Sequence, residues 1–302
     1  PSSASSRADS EGLRVRSARR TTRNTSSGTI GSTCRIAPRP SYHPAVRLPI
    51  LAAKLALVLP LVLSLACGKS SGRTKVTVFA AASLTESFAA LERAFEAEHP
   101  EYDVELAFAG SQLLATQLLE GARADVFASA NPEQIDRVAT GRELLHRARF
   151  ASNRLVAVVQ RDGEVKKIEQ LGAEGVRVVL AGETVPAGKY ARLALAELGI
   201  AEAVEANVVS NEVDVRGVIA KLRAGEADAG IAYATDLRGS EAQLEGIELA
   251  VNVHAHYELA VLGDANNPSG GQAFAAFVTS DEGQKLMQGF GFVAPDSTAK
   301  HD

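Results

Sequence analysis

The sequence predicts a two-lobed α/β protein behind a basic leader. Three observations carry this. Short β-branched runs alternate with amphipathic helical stretches from residue 74 onward, the pattern of mostly parallel sheets covered by helices. The body, about 230 residues long, is large for one sheet and comfortable for two lobes. The charge divides sharply: residues 1–73 hold 12 Lys/Arg and 2 Asp/Glu, net +10, and residues 74–302 hold 20 and 34, net −14.

Residues 1–46 are rich in Ser, Arg, Thr and Pro and have no apolar period. They cannot bury a core and are expected to be disordered, as a translated upstream extension, with synthesis starting near Val46. Residues 47–66 read as a secretory signal peptide. The basic Arg47 and Lys54 precede an apolar run from Leu55 to Leu63, and Ser64-Leu65-Ala66 leads to Cys67. The run is short for a membrane span, which needs roughly 20 apolar residues. The ending resembles a bacterial lipobox, with Ser64 where Leu is usual, so Cys67 is the expected lipidation site and residues 67–73 the linker.

In the body, Lys75–Phe79 predicts a strand by its β-branched content. Leu84–Glu98 predicts a helix with Leu84, Phe88, Leu91 and Phe95 on one face. Asp103–Phe108 is a second strand, Leu113–Glu120 a helix ended by Gly121, Ala124–Ser129 a third strand, and Pro132–Ala139 a helix. Strands follow at Leu155–Gln160 and Val176–Ala181, then helices at Tyr190–Leu198 and Val215–Ala224. Ala229–Tyr233 and Tyr257–Leu262 close the strand set, with late helices around Phe274–Phe277 and Gly283–Met287.

Composition excludes several function classes. An acidic body is unsuited to nucleic acid, which needs a basic face. Two cysteines exclude a disulfide scaffold and a four-Cys zinc site. Without Trp and with 5% aromatic residues there is no stacking platform. There is no Walker loop for ATP and no Gly-x-Ser-x-Gly elbow for a hydrolase. His254-Ala-His256 lacks an evident third metal ligand and reads as exposed strand. Asp125, near a strand start, reads as structural.

Four strand-to-helix junctions suit an anion, because helix N-termini present free N–H groups and partial positive charge. At the first, Ala80-Ala-Ala-Ser83-Leu-Thr85-Glu86, Ser83 offers a hydroxyl, and Ser83-x-x-Glu86 is equally a capping box. At Gly110-Ser111-Gln112, Gly110 permits a tight turn and Ser111 is either a ligand hydroxyl or a plain N-cap. At Val185-Pro-Ala187-Gly188-Lys189, small residues leave room beside the first N–H groups, and Lys189 is a counter-charge or simply solvated. At Asn211-Glu212-Val213-Asp214-Val215-Arg216, Arg216 either binds an anion or pairs with Asp214 or Glu212. Tyr233, ending a strand, either directs one hydrogen bond at a ligand or is a buried structural phenol.

Together these segments resemble the periplasmic molybdate-binding proteins, the soluble receptors of molybdate ABC importers. The likeness rests on Val76–Ser87, Ala124-Asp125-Val126-Phe127, Val185–Tyr190, Asp214–Gly217 and Gly225–Tyr233, and covers about residues 74–294. It implies the type II periplasmic-binding-protein fold: two mixed, mostly parallel sheets, helices on both faces and a ligand cleft between the lobes. Residues 74–154 plus 257–302 would form lobe 1 and residues 155–256 lobe 2. Carried over by motif, the oxyanion donors would be Ser83, Ser111, Ala187 and Val215 through their backbones, and Tyr233. The resemblance further implies molybdate or tungstate as ligand, no cofactor, no direct metal-cation ligands, a monomer, an ABC permease as partner, and a periplasmic or cell-surface place held through Cys67. The competing readings are a receptor for another oxyanion such as sulfate, or a hydrolase using a cleft Ser.

Overall fold

A computed structural model describes residues 72–295. The expectations for the 1–46 extension, the 47–66 signal peptide and the Cys67 anchor therefore fall outside the described residues.

The strands are β1 (Thr74–Ala81), β2 (Tyr102–Ala109), β3 (Val126–Ser129), β4 (Leu144–Gln160), β5 (Val178–Ala181), β6 (Val208–Glu212), β7 (Ala229–Tyr233), β8 (Leu244–Glu248) and β9 (His254–Leu262). The helices are α1 (Thr85–Glu98), α2 (Ser111–Leu119), α3 (Pro132–Ala139), α4 (Pro186–Glu197), α5 (Ala201–Glu205), α6 (Val215–Arg223), α7 (Pro268–Thr279) and α8 (Asp281–Gly289). The predicted face of α1 is the buried one: Phe88, Leu91 and Phe95 are wholly inaccessible. Phe95 and Phe274 meet edge-on at 5.3 Å, tying α1 to α7 beneath β1.

The strands run in the order β2-β1-β3-β9-β4-β7-β5-β6, with β8 against β4. Pairing is parallel for β1 with β2 and β3, and for β5 with β6 and β7. It is antiparallel wherever β4 or β9 takes part. These two strands connect the halves. β4 pairs with β9 up to Arg154, then changes partners at Leu155 to β7 and, from Val156, β8. The result is a mixed α/β fold of two halves, each with its own parallel set and helices.

Asp125 is structural, as expected. It is buried, and its carboxylate accepts the Thr77 N–H at 2.7 Å and the Asn267 N–H at 2.7 Å. One side chain thus fixes β1 and the start of α7 to the entrance of β3.

Several elements exceed the sequence expectation. β4 begins at Leu144, not Leu155; its first half carries His146, Arg147 and Arg149 in place of a clean apolar alternation, which hides it from the sequence pattern. Those arginines meet the buried Glu258 of β9, Arg147 at 2.6 Å and Arg149 at 3.7 Å, a pairing no local pattern reveals. β6 and β8 are short and half exposed, so their hydrophobic signal is weak. α4 starts at Pro186, the first-turn proline, four residues before the expected Tyr190.

Candidate functional site

The parallel strands β1, β2, β5, β6 and β7 all end at one small cavity, the position at which open α/β sheets bind ligands. Its wall contains Ser83, Ser111, Ala187, Val215 and Tyr233 together with Ala81, Ala82, Gly110, Ala130, Val185, Pro186 and Asp214. All five residues singled out from the sequence are therefore brought together, from segments as distant as β1 and β7. The cavity volume is about 10 Å³, close to that needed by one water-sized sphere. As it stands it is a narrow cleft, and a larger guest enters only if its walls part.

Each candidate donor is held by a different local device. Ser83 lies in a 3-10 turn, Ala82–Leu84, between β1 and α1. Its hydroxyl is 3.0 Å from the Tyr257 hydroxyl. When Tyr257 donates, the Ser83 hydrogen is free for the cavity. The capping-box expectation fails here: Leu84 occupies the N-cap of α1 without a side-chain bond, and Glu86 turns elsewhere. Ser111 is the first residue of α2, not its cap; Gly110 holds that place. The Ser111 Oγ accepts the Ala130 N–H at 3.1 Å, and its O–H remains available to donate.

Gly110 is not required by the turn. Its φ of −57° and ψ of 135° suit any residue. What needs glycine is proximity, because a Cβ there would stand 2.7 Å from the Val213 carbonyl oxygen on the facing wall. The Gln112 side-chain amide donates to that same carbonyl at 2.8 Å.

Ala187 and Val215 sit in the first turns of α4 and α6, where backbone N–H groups have no partner within the helix. Gly188 lets α4 lie against β5: a Cβ there would come within 2.1 Å of the Gly182 carbonyl oxygen. Asp214 caps α6 by accepting the Gly217 N–H at 3.0 Å.

Tyr233 is buried, and its hydroxyl has no hydrogen-bond partner. Its ring packs against Tyr257 at 5.7 Å, and Tyr257 in turn against Phe292 at 5.3 Å. Burial, reinforced by the Tyr257 phenol, pushes the Tyr233 phenol well above its ordinary value, so it is a fixed donor. A buried hydroxyl left unpaired is costly; here it lines the cavity, which argues for a ligand contact over a purely structural phenol.

No Lys, Arg or His lines the cavity, and its one carboxylate, Asp214, is engaged as a cap. The two cations considered from sequence have other partners. Arg216 pairs with Glu86 at 2.7 Å, not with Asp214 or Glu212. Lys189 is not merely solvated but pairs with Glu133 of α3. His254 is exposed, and the His256 ring lies 3.2 Å from the Ser152 hydroxyl.

Two participants were missed in the sequence. Tyr257 orients Ser83 from 174 residues away, so only the topology reveals it. Asp236 lies just past Tyr233 and accepts its backbone N–H at 3.1 Å. The residue is partly exposed, yet burial of its carboxyl pushes it up to about 8, against the opposing pull of the Tyr233 N–H and Arg216. Glu86 and Asp214 also raise it. The shift favours the uncharged carboxyl and so lessens repulsion behind the cavity.

The folded-state value lies above the unfolded one, so Asp236's contribution to stability is present at low pH and lost as pH rises toward about 8. Through the same upper window an ionised carboxylate arises beside the donors. We predict that affinity for a dianion falls as pH passes about 8 and that Asp236→Asn flattens the fall; equal profiles for both proteins in titrations on either side of that pH would refute it.

Comparison with known proteins gives the family. Residues 76–293 match the family described as bacterial extracellular solute-binding protein. The chain is 37% identical over 234 residues to the molybdate-binding protein ModA of Mycobacterium bovis, an alignment covering 76% of this chain and 88% of that one. Among solved structures, the fold is similar to a periplasmic molybdate-binding protein of Azotobacter vinelandii (TM-score 0.65, 17% identity, 73% of this chain and 100% of that chain). It is also similar to the sulfate-binding protein SubI of Mycobacterium tuberculosis (TM-score 0.68, 18% identity, 74% and 88%). At those identities the structures speak for the fold alone.

Proposed function

We propose a cargo for the chain, which belongs to the bacterial extracellular solute-binding protein family: molybdate, and with it tungstate, bound as an intact oxyanion and delivered to the permease of an ABC importer. As a family of extracytoplasmic solute-binding proteins, its members carry ligands and are not enzymes. The observation that carries the cargo is the convergence of five neutral donor residues, Ser83, Ser111, Ala187, Val215 and Tyr233, on one cation-free cavity. The printed names of relatives such as the Mycobacterium bovis protein point the same way.

A body of net −14 does not attract a dianion by its long-range field. Capture therefore rests on short, preorganised donors, each strengthened by the ligand's charge, and on helix N-termini. A fully ionised tetraoxyanion only accepts hydrogen bonds. Protonated phosphate must also donate one, and a cavity whose backbone contribution is the N–H groups of two helix starts is richer in donors than in acceptors. The unmatched proton disfavours phosphate. Molybdate and tungstate are nearly alike in size and charge, so the site treats them alike.

The lobe division proposed is 74–154 plus 257–302 against 155–256, supported by the change of partner in β4 at Leu155. The chain acts as a monomer, anchored by a lipid on Cys67, with no cofactor. A hinge motion about β4 and β9 admits the ligand.

Calorimetric titration with molybdate, tungstate, sulfate and phosphate at neutral pH tests this. One-to-one binding of molybdate and tungstate, with phosphate silent, is expected. Preferential sulfate binding would keep the receptor and replace the cargo; silence toward all four would refute the oxyanion reading.

A further inference from the structure

Beside the donor cavity lies a second, larger one of about 600 Å³, which shares Ser83 and Asp214 in its wall. Across it runs the ion pair between Glu86 in the first turn of α1 and Arg216 in the first turn of α6, at 2.7 Å. The two residues belong to opposite halves of the fold. Glu86 lies three residues past Ser83, and Arg216 directly follows Val215. The pair thus ties together the two helix starts that present donors from opposite sides, without itself lining the donor cavity.

Nothing local calls for this pairing. Arg216 has Asp214 and Glu212 close in sequence, yet Asp214 caps α6 and Glu212 accepts from the Ser210 hydroxyl at 2.6 Å. Glu86 is likewise absent from the capping of α1. Both side chains reach instead across the seam that the Gln112–Val213 hydrogen bond and the Lys189–Glu133 pair also cross.

We propose that Glu86 and Arg216 are a latch: positioning residues that touch no ligand atom but hold the α1 and α6 walls together and so lengthen the residence of the bound oxyanion. The inference rests on the oxyanion reading above. Opening the walls breaks the pair before the ligand leaves, so the pair acts on release and leaves capture by the open form unchanged. The side chains are 56% and 49% exposed, which limits the effect to that of a solvated ion pair, about three-fold in rate and at most about five-fold.

Dissociation of radiolabelled molybdate from the full chain, chased with unlabelled molybdate, provides the test. Glu86→Gln and Arg216→Gln should each speed release about three-fold with the association rate unchanged, and the double variant should release no faster than either. The charge-exchanged protein, E86R with R216E, should return toward the wild-type rate, which a merely structural role would not produce. Added salt should speed release from the wild type and not from the double variant. Wild-type release rates in the single variants, or additive effects with no rescue by exchange, would overturn the latch alone. A wild-type chain that retains no molybdate would overturn the oxyanion reading and the latch with it.

Discussion

Replacing Tyr233 with Phe lowers molybdate affinity by roughly ten- to a hundred-fold, the value of one hydrogen bond to a charged group, and leaves thermal stability unchanged or slightly raised. The two halves of this expectation have one cause. The Tyr233 hydroxyl is buried without a partner in the closed form, so until a ligand arrives it adds desolvation cost to that form and no bond. Phe keeps the ring contact with Tyr257 and removes the unpaired oxygen. A hydroxyl that served the fold would give the opposite pattern, a lower melting temperature with affinity intact. Ser83→Ala tests the neighbouring donor less cleanly, because it also strips Tyr257 of its partner. Paired melting curves and titrations on the Phe variant decide the matter.

Gly110→Ala is the second large effect, and it acts through closure. The backbone there, φ −57° and ψ 135°, accepts Ala without strain. The added Cβ would nevertheless stand 2.7 Å from the Val213 carbonyl oxygen and 2.6 Å from the Gln112 amide. Gln112 can swing away, whereas the carbonyl belongs to the opposing backbone. The methyl group therefore holds the walls apart and breaks the Gln112–Val213 hydrogen bond. Overpacking of this kind costs about 1–3 kcal/mol, here charged to the closed form only. Affinity should drop by about ten-fold or more while the melting temperature of the ligand-free protein stays within error. A destabilised free protein would mean that Gly110 serves the turn after all; unchanged affinity would mean that the walls do not close as described.

The parts of the fold visible in the sequence were those with local causes. α1 announces itself through Leu84, Phe88, Leu91 and Phe95, all buried on one face, and β7 through Ala229–Tyr233, buried at every position. The first half of β4 stayed hidden because its Arg147 and Arg149 are explained only by Glu258 on β9. The candidate donors were legible because helix starts advertise themselves in small residues, Pro and Asp, as at Pro186 and Asp214. Their surroundings were not. Ser83 suggested a capping box, and Glu86 instead crosses to Arg216. Gly110 suggested a turn, and its need arises from a carbonyl more than 100 residues on. Tyr257 and Asp236 carry no pattern that ties them to a site, because the contact of one and the burial of the other are products of topology.

The central claim is that a tetrahedral oxyanion sits among neutral donors where β1, β2, β5, β6 and β7 end. Anomalous diffraction from crystals of the molybdate complex, at the molybdenum absorption edge, tests it most directly. A single strong peak is expected within hydrogen-bond reach, through its oxygens, of Ser83, Ser111, Ala187 N–H, Val215 N–H and Tyr233, with no Lys or Arg in contact. A peak at Arg216, Arg223 or Arg238 in the larger neighbouring cavity, or at any other cationic cluster, would contradict it.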